Sequence, residues 1–409
     1  MASLVNADIT EIRQASAGLA GAGFLWGAGG AALLGVAAVI GFATGSWAQF
    51  AHAYLLAVMY VTSLGVGGLF FVLAHHLTGG RWGTTVRRLS EITAGTLVVS
   101  FGLFLLVIVF GVLSGSDALY PWVNRPLVES DPILRSKMHY LEPTWFTIRA
   151  CVYYLLWIAM AWTMLGISTR QDSSEPLRRA KAMQWYAGPM MLVYALSMNF
   201  AAFDFMMSLA PHWFSTMFGV IFFAGSFGVF LAFLLMLSVF LQERGVLTQS
   251  ITTEHYHDIA KLMFAFVVFW AYVSFSQYML IWYAAIPEET FWFDIRQQGM
   301  WLYWGLALIL VHFFIPFLGF MSKRIRRNKH IMFYWACWMM AAHWLDQAFI
   351  ILPQVRAEGS PTITIVLSLI TTAGALGVFV WAWMSVAAGR WLLPVQDPRL
   401  PIALSYHNH

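Results

Sequence analysis

Two aspartates lie in apolar stretches where a membrane helix should hold no charge. Asp204, in the run NFAAFDFMMSLAPHW (199–213), stands seven residues before Pro211, and Asp346, in LDQAFIILP (345–353), stands seven residues before Pro353. A carboxylate at the centre of a membrane helix costs at least ~2.5–3.5 kcal/mol on insertion scales, so such a residue is a functional candidate by default. At 1.5 Å per residue, seven residues put each carboxylate roughly 10 Å inside its proline. Each has a basic partner on the preceding stretch: Arg149 in WFTIR (145–149) and Arg296 in WFDIR (292–296). Two readings stand for each pair. One is an ion pair that fixes helix register, which is weak evidence for stability because desolvation can cancel the attraction. The other is a proton-relay carboxylate tuned by the competition between desolvation and the arginine. His343 favours the relay in the second pair, because it precedes Asp346 by three residues and so shares its helix face, and imidazole exchanges protons near neutral pH. Ser197 and Ser208 share the face of Asp204, where hydroxyls and water could continue a path.

Other polar residues in apolar stretches give weaker signals. His312, His52, Tyr60 and Ser63 stand singly, and a lone buried histidine is more often a hydrogen-bonded core residue than a site. His312 is carried as a further member of the proton path. His52, Tyr60 and Asp204 together form the alternative, a quinol headgroup site. His75, His76 and Lys261 could take up protons, although ordinary solvated helix ends explain them equally well. Bis-histidine haem b is disfavoured because no histidine pair repeats in step with the aspartates. Cys151 and Cys337 both lie in apolar segments and neither belongs to a CxxC. The chain by itself therefore holds no iron–sulfur cluster and attaches no c-type haem. No metal ligand set is read from the sequence, and metal redox chemistry is expected in partner chains. The basic runs STRQDSSEPLRRAK (168–181) and SKRIRRNK (322–329) suit anionic lipid; a nucleic-acid role is not expected.

The elements that must hold these residues are membrane helices. The 409 residues are 60% hydrophobic and 10% charged, against about a quarter charged in soluble domains. Ten stretches approach the roughly 20 apolar residues that a span requires: 18–43, 47–76, 91–114, 144–168, 182–210, 213–241, 258–285, 297–321, 331–352 and 362–390. Lys and Arg divide 17 to 6 between alternate sides, which predicts both termini in the cytoplasm. Three motifs recur in one order: WFTIR with WFDIR, RRAK (178–181) with RRNK (326–329), and the two Asp-to-Pro runs. We read a duplication. It divides the all-α chain into a cytoplasmic tail (1–17), a peripheral first span (18–46), a four-helix bundle (47–210), a second, parallel four-helix bundle (211–353), and a last span with a cytoplasmic tail (354–409). Gly23, Gly27, Ala31 and Gly35 form a small-residue ridge for close helix approach, and Gly65, Gly67 and Gly68 a second cluster. The long connection 115–143 reads as an ordered cap or docking surface.

The segments HYLEPTWFTIR (139–149), FDFMMSLAPHWFSTMFG (203–219) and HDIAKLMFAFVVFWAYVSFSQYMLIWYAAIPEET (257–290), with ten helices in parallel repeats, resemble the ActF membrane subunits of bacterial alternative complex III. Those subunits belong to the NrfD-like, polysulfide-reductase membrane-subunit class. The resemblance spans nearly the whole chain. It implies a cofactor-free subunit of a quinol:cytochrome c oxidoreductase in the bacterial cytoplasmic (inner) membrane, contributing structure and a proton path. It also implies the partners: a sister NrfD-like subunit holding the quinol site, an iron–sulfur subunit, multihaem and monohaem cytochrome c subunits carrying haem c, a terminal oxidase, and lipid. By the same resemblance the FDF aspartate is Asp204, its repeat counterpart is Asp346, and the TWFTIR arginine is Arg149. A proton-coupled secondary transporter is a third reading; parallel repeats permit it, but broken helices around a midplane site are not evident.

Overall fold

The computed structural model describes residues 19–355 and 360–407; the expected tail at 1–17 and the charges Arg13 and Arg356 lie outside the described residues. Among the described residues the chain is helical throughout, without strands. Its long helices are α1 (Leu19–Ala43), α2 (Trp47–Leu77), α3 (Thr84–Leu113), α4 (Pro143–Gln171), α5 (Pro176–Phe205), α6 (Phe218–Gln242), α7 (Thr253–Ala284), α8 (Gly299–Met321), α9 (Lys329–Ile351) and α10 (Pro361–Ala387). Nine of these are long and apolar enough to cross a bilayer, so the protein is a multi-pass, all-α membrane protein. The helix outside the nine is α9, whose apolar run is interrupted by His343, Asp346 and Gln347.

Helix α2 runs through the centre and packs against α3, α5, α6, α9 and α10. Its apolar stretch is 94% buried, and α6 follows at 78%. These two helices meet across the boundary expected at 210/211, with Gly67 set against the Phe230 side chain and the Ser226 carbonyl. The small-residue ridge of α1 serves α10, but its register differs from the expected one. Gly23, Gly27 and Gly30 face α10, whereas Gly35 and Ala31 are exposed. At Gly30 the backbones touch: a Cβ there would lie 2.5 Å from the Gly374 carbonyl oxygen. A side chain at Gly30 has no room there, and small residues of this kind are what let helix backbones approach closely.

The connection 114–142 is an ordered cap. Two short helices, Arg125–Ser130 and Pro132–Lys137, begin at Asn124 and Asp131, whose side chains accept from the first free amides, as N-caps do. The cap is pinned to the helices beneath it: Tyr120 donates to the Phe205 carbonyl (2.9 Å), Lys137 Nζ to the Pro211 carbonyl (2.6 Å), and His212 Nε2 lies 2.5 Å from Asp131 Oδ2.

Candidate functional site

Asp204 sits in the last turn of α5 and is fully buried, and Arg149 reaches it from the second turn of α4. The guanidinium grips the carboxylate with both prongs, Nε to Oδ2 at 2.8 Å and Nη2 to Oδ1 at 3.1 Å, and the Tyr153 hydroxyl adds a third bond to Oδ2 at 3.0 Å. The Tyr140 ring covers the outer face of the guanidinium, 3.9 Å from its centroid. Burial and the nearby Asp204 carboxylate push the Tyr140 phenol up to about 12, so it stays protonated. Bidentate geometry with an added phenol is the strong form of a carboxylate hydrogen bond. The expected pairing of Arg149 with Asp204 is present, and it occupies the carboxylate. The expected serine continuation is absent at the first step. Ser208 donates to the Asp204 main-chain carbonyl, while Ser197 donates to the Tyr194 carbonyl and accepts from Trp157 Nε1; neither touches the carboxylate.

The second pair departs from the expectation. Arg296 makes no bond to Asp346. It donates from Nε to the Phe349 carbonyl (2.9 Å), from Nη2 to the Ile350 carbonyl (2.7 Å) and from Nη1 to the Trp292 carbonyl (2.7 Å). The Gln354 amide oxygen accepts from both Nη atoms at 3.2 Å in the orientation that satisfies the amide at both ends. The reason is local. Arg149 lies inside α4, whereas WFDIR falls in a short helix and 3-10 turn that end before α8 begins. From there Arg296 reaches the end of α9, where the last-turn carbonyls lack intrahelical donors, and a cation is favourable at a helix C-terminus. Burial pulls the Arg296 guanidinium below its ordinary value, with carbonyls rather than a carboxylate as its compensation.

Asp346 is thereby left in a different environment. Trp270 Nε1, from α7, donates to Oδ2 at 3.2 Å, and among the described residues no Lys or Arg pairs with the carboxylate. His343 lies on the same face, as the three-residue spacing predicts, and His312 joins them from α8. Donor atoms of the three side chains lie within 4.8 Å of one another, and all three residues are buried. The His312 ring lies tilted against Trp270 with ring centroids 3.9 Å apart, and the Tyr60 ring lies 5.6 Å from His343. A void of about 10 Å³, close to the size needed for one water, is lined by His312, His343 and Gly225.

A π-helical segment in α8, Ile309–Phe314, presents His312 to the cluster. Its sequence cause is Pro316, which has no amide hydrogen for the His312 carbonyl four residues back and whose ring crowds that carbonyl. Wider turns of this kind expose main-chain groups and recur at functional positions; here the Val311 carbonyl is taken by Trp338 Nε1 at 2.8 Å. The His-x₃-Pro spacing was the available signal for His312.

The three residues expected for a quinol headgroup do not converge on one wall. Tyr60 donates to the Met340 carbonyl beside His343, His52 Nδ1 bonds the Ala48 carbonyl about 12 Å away along α2, and Asp204 is closed by Arg149 and Tyr153. Separately, a cleft of about 530 Å³ is lined by His75, Asp258, Lys261 and Tyr406 together with Phe227 and Phe266. Phe266 lines both this cleft and the small void.

One charged centre escaped the sequence reading. Arg87 and Arg88, counted there among charges that set topology, are fully buried and share Glu91 (2.9 and 3.0 Å). Arg87 also pairs with Asp397 and donates to Gln171 Oε1 (3.1 Å), and Arg88 pairs with Asp172 (2.8 Å) and donates to the Trp391 carbonyl (3.0 Å). This network fastens the segment after α10 to α3 and α4. Burial pushes the Asp397 carboxyl up, but the Arg87 guanidinium and the Arg399 amide more than offset it and hold it below its ordinary value. At Asp172 burial wins and the carboxyl is raised. The helix accordingly starts at Thr84, before the 91–114 span expected from hydropathy. The spacing of Arg87 and Glu91 was visible; the partners at 172 and 397 were not.

No family model and no curated protein matches this chain.

Proposed function

We propose that this chain is an integral subunit, without a redox cofactor of its own, of a bacterial quinol:cytochrome c oxidoreductase of the alternative complex III type. Its part is to brace the membrane domain and carry protons through His312, His343 and Asp346. The observation that carries the proton reading is a carboxylate without a cationic partner, buried beside two imidazoles and a water-sized void. Such groups can exchange a proton, whereas the Asp204 carboxylate has both oxygens taken by the Arg149 fork and the Tyr153 hydroxyl. Asp204 and Arg149 therefore move from the path to the frame, and Ser197, Ser208 and Arg296 go with them. The cleft at His75, Asp258 and Lys261 supplies the uptake side, with Phe266 between it and the histidines.

The respiratory assignment rests on the ActF and NrfD-like resemblance, and with it come the iron–sulfur, cytochrome c and sister quinol-binding partners. The same reading takes α9 as a tenth span, the bundles 47–210 and 211–353 as parallel copies, and both termini as cytoplasmic. Supporting the copies are the equal Asp-to-Pro spacings and the central burial of α2 and α6 as equivalent first helices. The experiment is proton release per electron in liposomes containing the intact complex with Asp346→Asn. A reduced ratio is expected. An unchanged ratio would make this carboxylate structural, and purification of the chain alone with substrate-driven proton flux would favour a transporter instead.

A further inference from the structure

We propose that His312, His343 and Asp346 form a three-ligand site for a divalent transition metal of the zinc type. Two imidazoles and one carboxylate are the protein ligands of zinc sites that keep a fourth position open. Mixed nitrogen and oxygen donors favour zinc or its first-row neighbours over magnesium or calcium. The three donor atoms lie within 4.8 Å of one another among fully packed side chains. A tetrahedral site with bonds of about 2.0–2.1 Å needs them roughly 3.3 Å apart, so the side chains draw together on binding.

Three observations point to a missing ligand. Nδ1 of His312 and Nδ1 of His343 have no hydrogen-bond partner, and both residues are more than nine-tenths buried. An orphaned buried polar atom is costly because its lost hydration is not replaced, and these two belong to the same small cluster. Asp346 has no cation beside it among the described residues, so a bound ion supplies the missing counter-charge. Gly225 of α6 leaves the space: a Cβ there would lie 3.0 Å from His343 Nδ1 and 3.4 Å from Asp346 Oδ2.

The surroundings also suit ligation. Trp270 Nε1 orients the Asp346 carboxylate. The Gln347 side chain lies 3.5 Å from His343 Nε2, and its Oε1 has no partner. With the amide turned end for end, Oε1 accepts from Nε2–H, which fixes the tautomer whose lone pair sits on Nδ1. Outer bonds of this kind set the orientation and basicity of a ligating histidine. The approach is the cleft, from which a rotation of the shared Phe266 ring opens the void.

The site uses the same three side chains as the proposed proton path, so a bound metal closes that path; the metal itself, and not proton flux, is the readout. The full chain, in its complex and without an affinity tag, is stripped with chelator and titrated with Co²⁺, following the visible ligand-field bands, with zinc counted by elemental analysis. We expect one saturable Co²⁺ per chain, displaced by Zn²⁺, with affinity at least tenfold weaker in His343→Ala and His312→Ala. Gly225→Ala keeps every ligand and adds a methyl against Nδ1, so it too weakens binding while the melting profile and elution stay those of a folded protein. Absence of saturable Co²⁺ binding in the wild type overturns the site. So does unchanged affinity in a folded His343→Ala or Gly225→Ala protein.

Discussion

The same substitution at Asp204 and at Asp346 should have unequal effects. In Asp204→Asn, the Arg149 guanidinium loses the carboxylate that accepts from Nε at 2.8 Å and from Nη2 at 3.1 Å, and one prong then faces an amide NH₂. Removing one partner of a buried ion pair costs ~3–5 kcal/mol. Arg149 keeps 21% side-chain exposure and Asp204 none, so water can recover part of the guanidinium's solvation, and the lower end, about 3 kcal/mol, applies. With an unfolding entropy of about 2.1 cal/mol/K per residue, 409 residues convert this into a fall in Tm of about 3–4 °C. That is a lower bound, because helices persist in detergent and the true entropy is smaller. In Asp346→Asn only a 3.2 Å bond from Trp270 is at stake, and the amide oxygen can keep it. No ion pair is broken there, so Tm holds. The assay is thermal unfolding of the purified protein, followed by tryptophan fluorescence at neutral pH. Equal losses at both positions, or none at Asp204, would refute the argument that the two carboxylates have separate roles.

Acid should release the segment after α10 late. The Asp397 carboxyl is held below its ordinary value, so its contribution is complete above the unfolded carboxylate value of about 3.9 and is lost as pH falls through the lower folded value. Trypsin cleavage at Arg399 should therefore stay slow at neutral and mildly acid pH. Asp397→Asn should make it fast throughout, and a protective effect surviving in that variant would contradict the staple. Gly30→Leu should detach α1 from α10, since a Cβ already meets Gly374 O at 2.5 Å, whereas Gly29→Leu has nothing within 4 Å and should be silent. Hydrogen exchange in α1 separates the two, and equal protection in both variants would refute the close-packed crossing.

Much of the candidate site was legible because helical spacing is a local property. His343 and Asp346 share a face whatever surrounds them, and the depth of Asp204 beside Arg149 followed from counting residues from a common end. Arg296 failed the same count. The two similar motifs, WFTIR and WFDIR, take different secondary structure, and the last carbonyls of α9 captured Arg296 instead. Recruitment of His312 depended on a π-helical segment whose local trigger, Pro316, is in the sequence, but whose direction depends on what α8 packs against.

The sequence by itself determined the all-helical membrane class, the approximate spans and the presence of rare buried charges, because hydropathy and residue spacing report on one helix at a time. Which charge meets which was decided only by tertiary structure. Asp397 and Asp172 reach Arg87 and Arg88 through chain reversals that no local pattern encodes, and the same packing gives Asp204 a guanidinium while leaving Asp346 with two imidazoles. An ionised group takes whatever compensation lies within about 3 Å, and in a helical bundle that neighbour usually comes from another part of the chain.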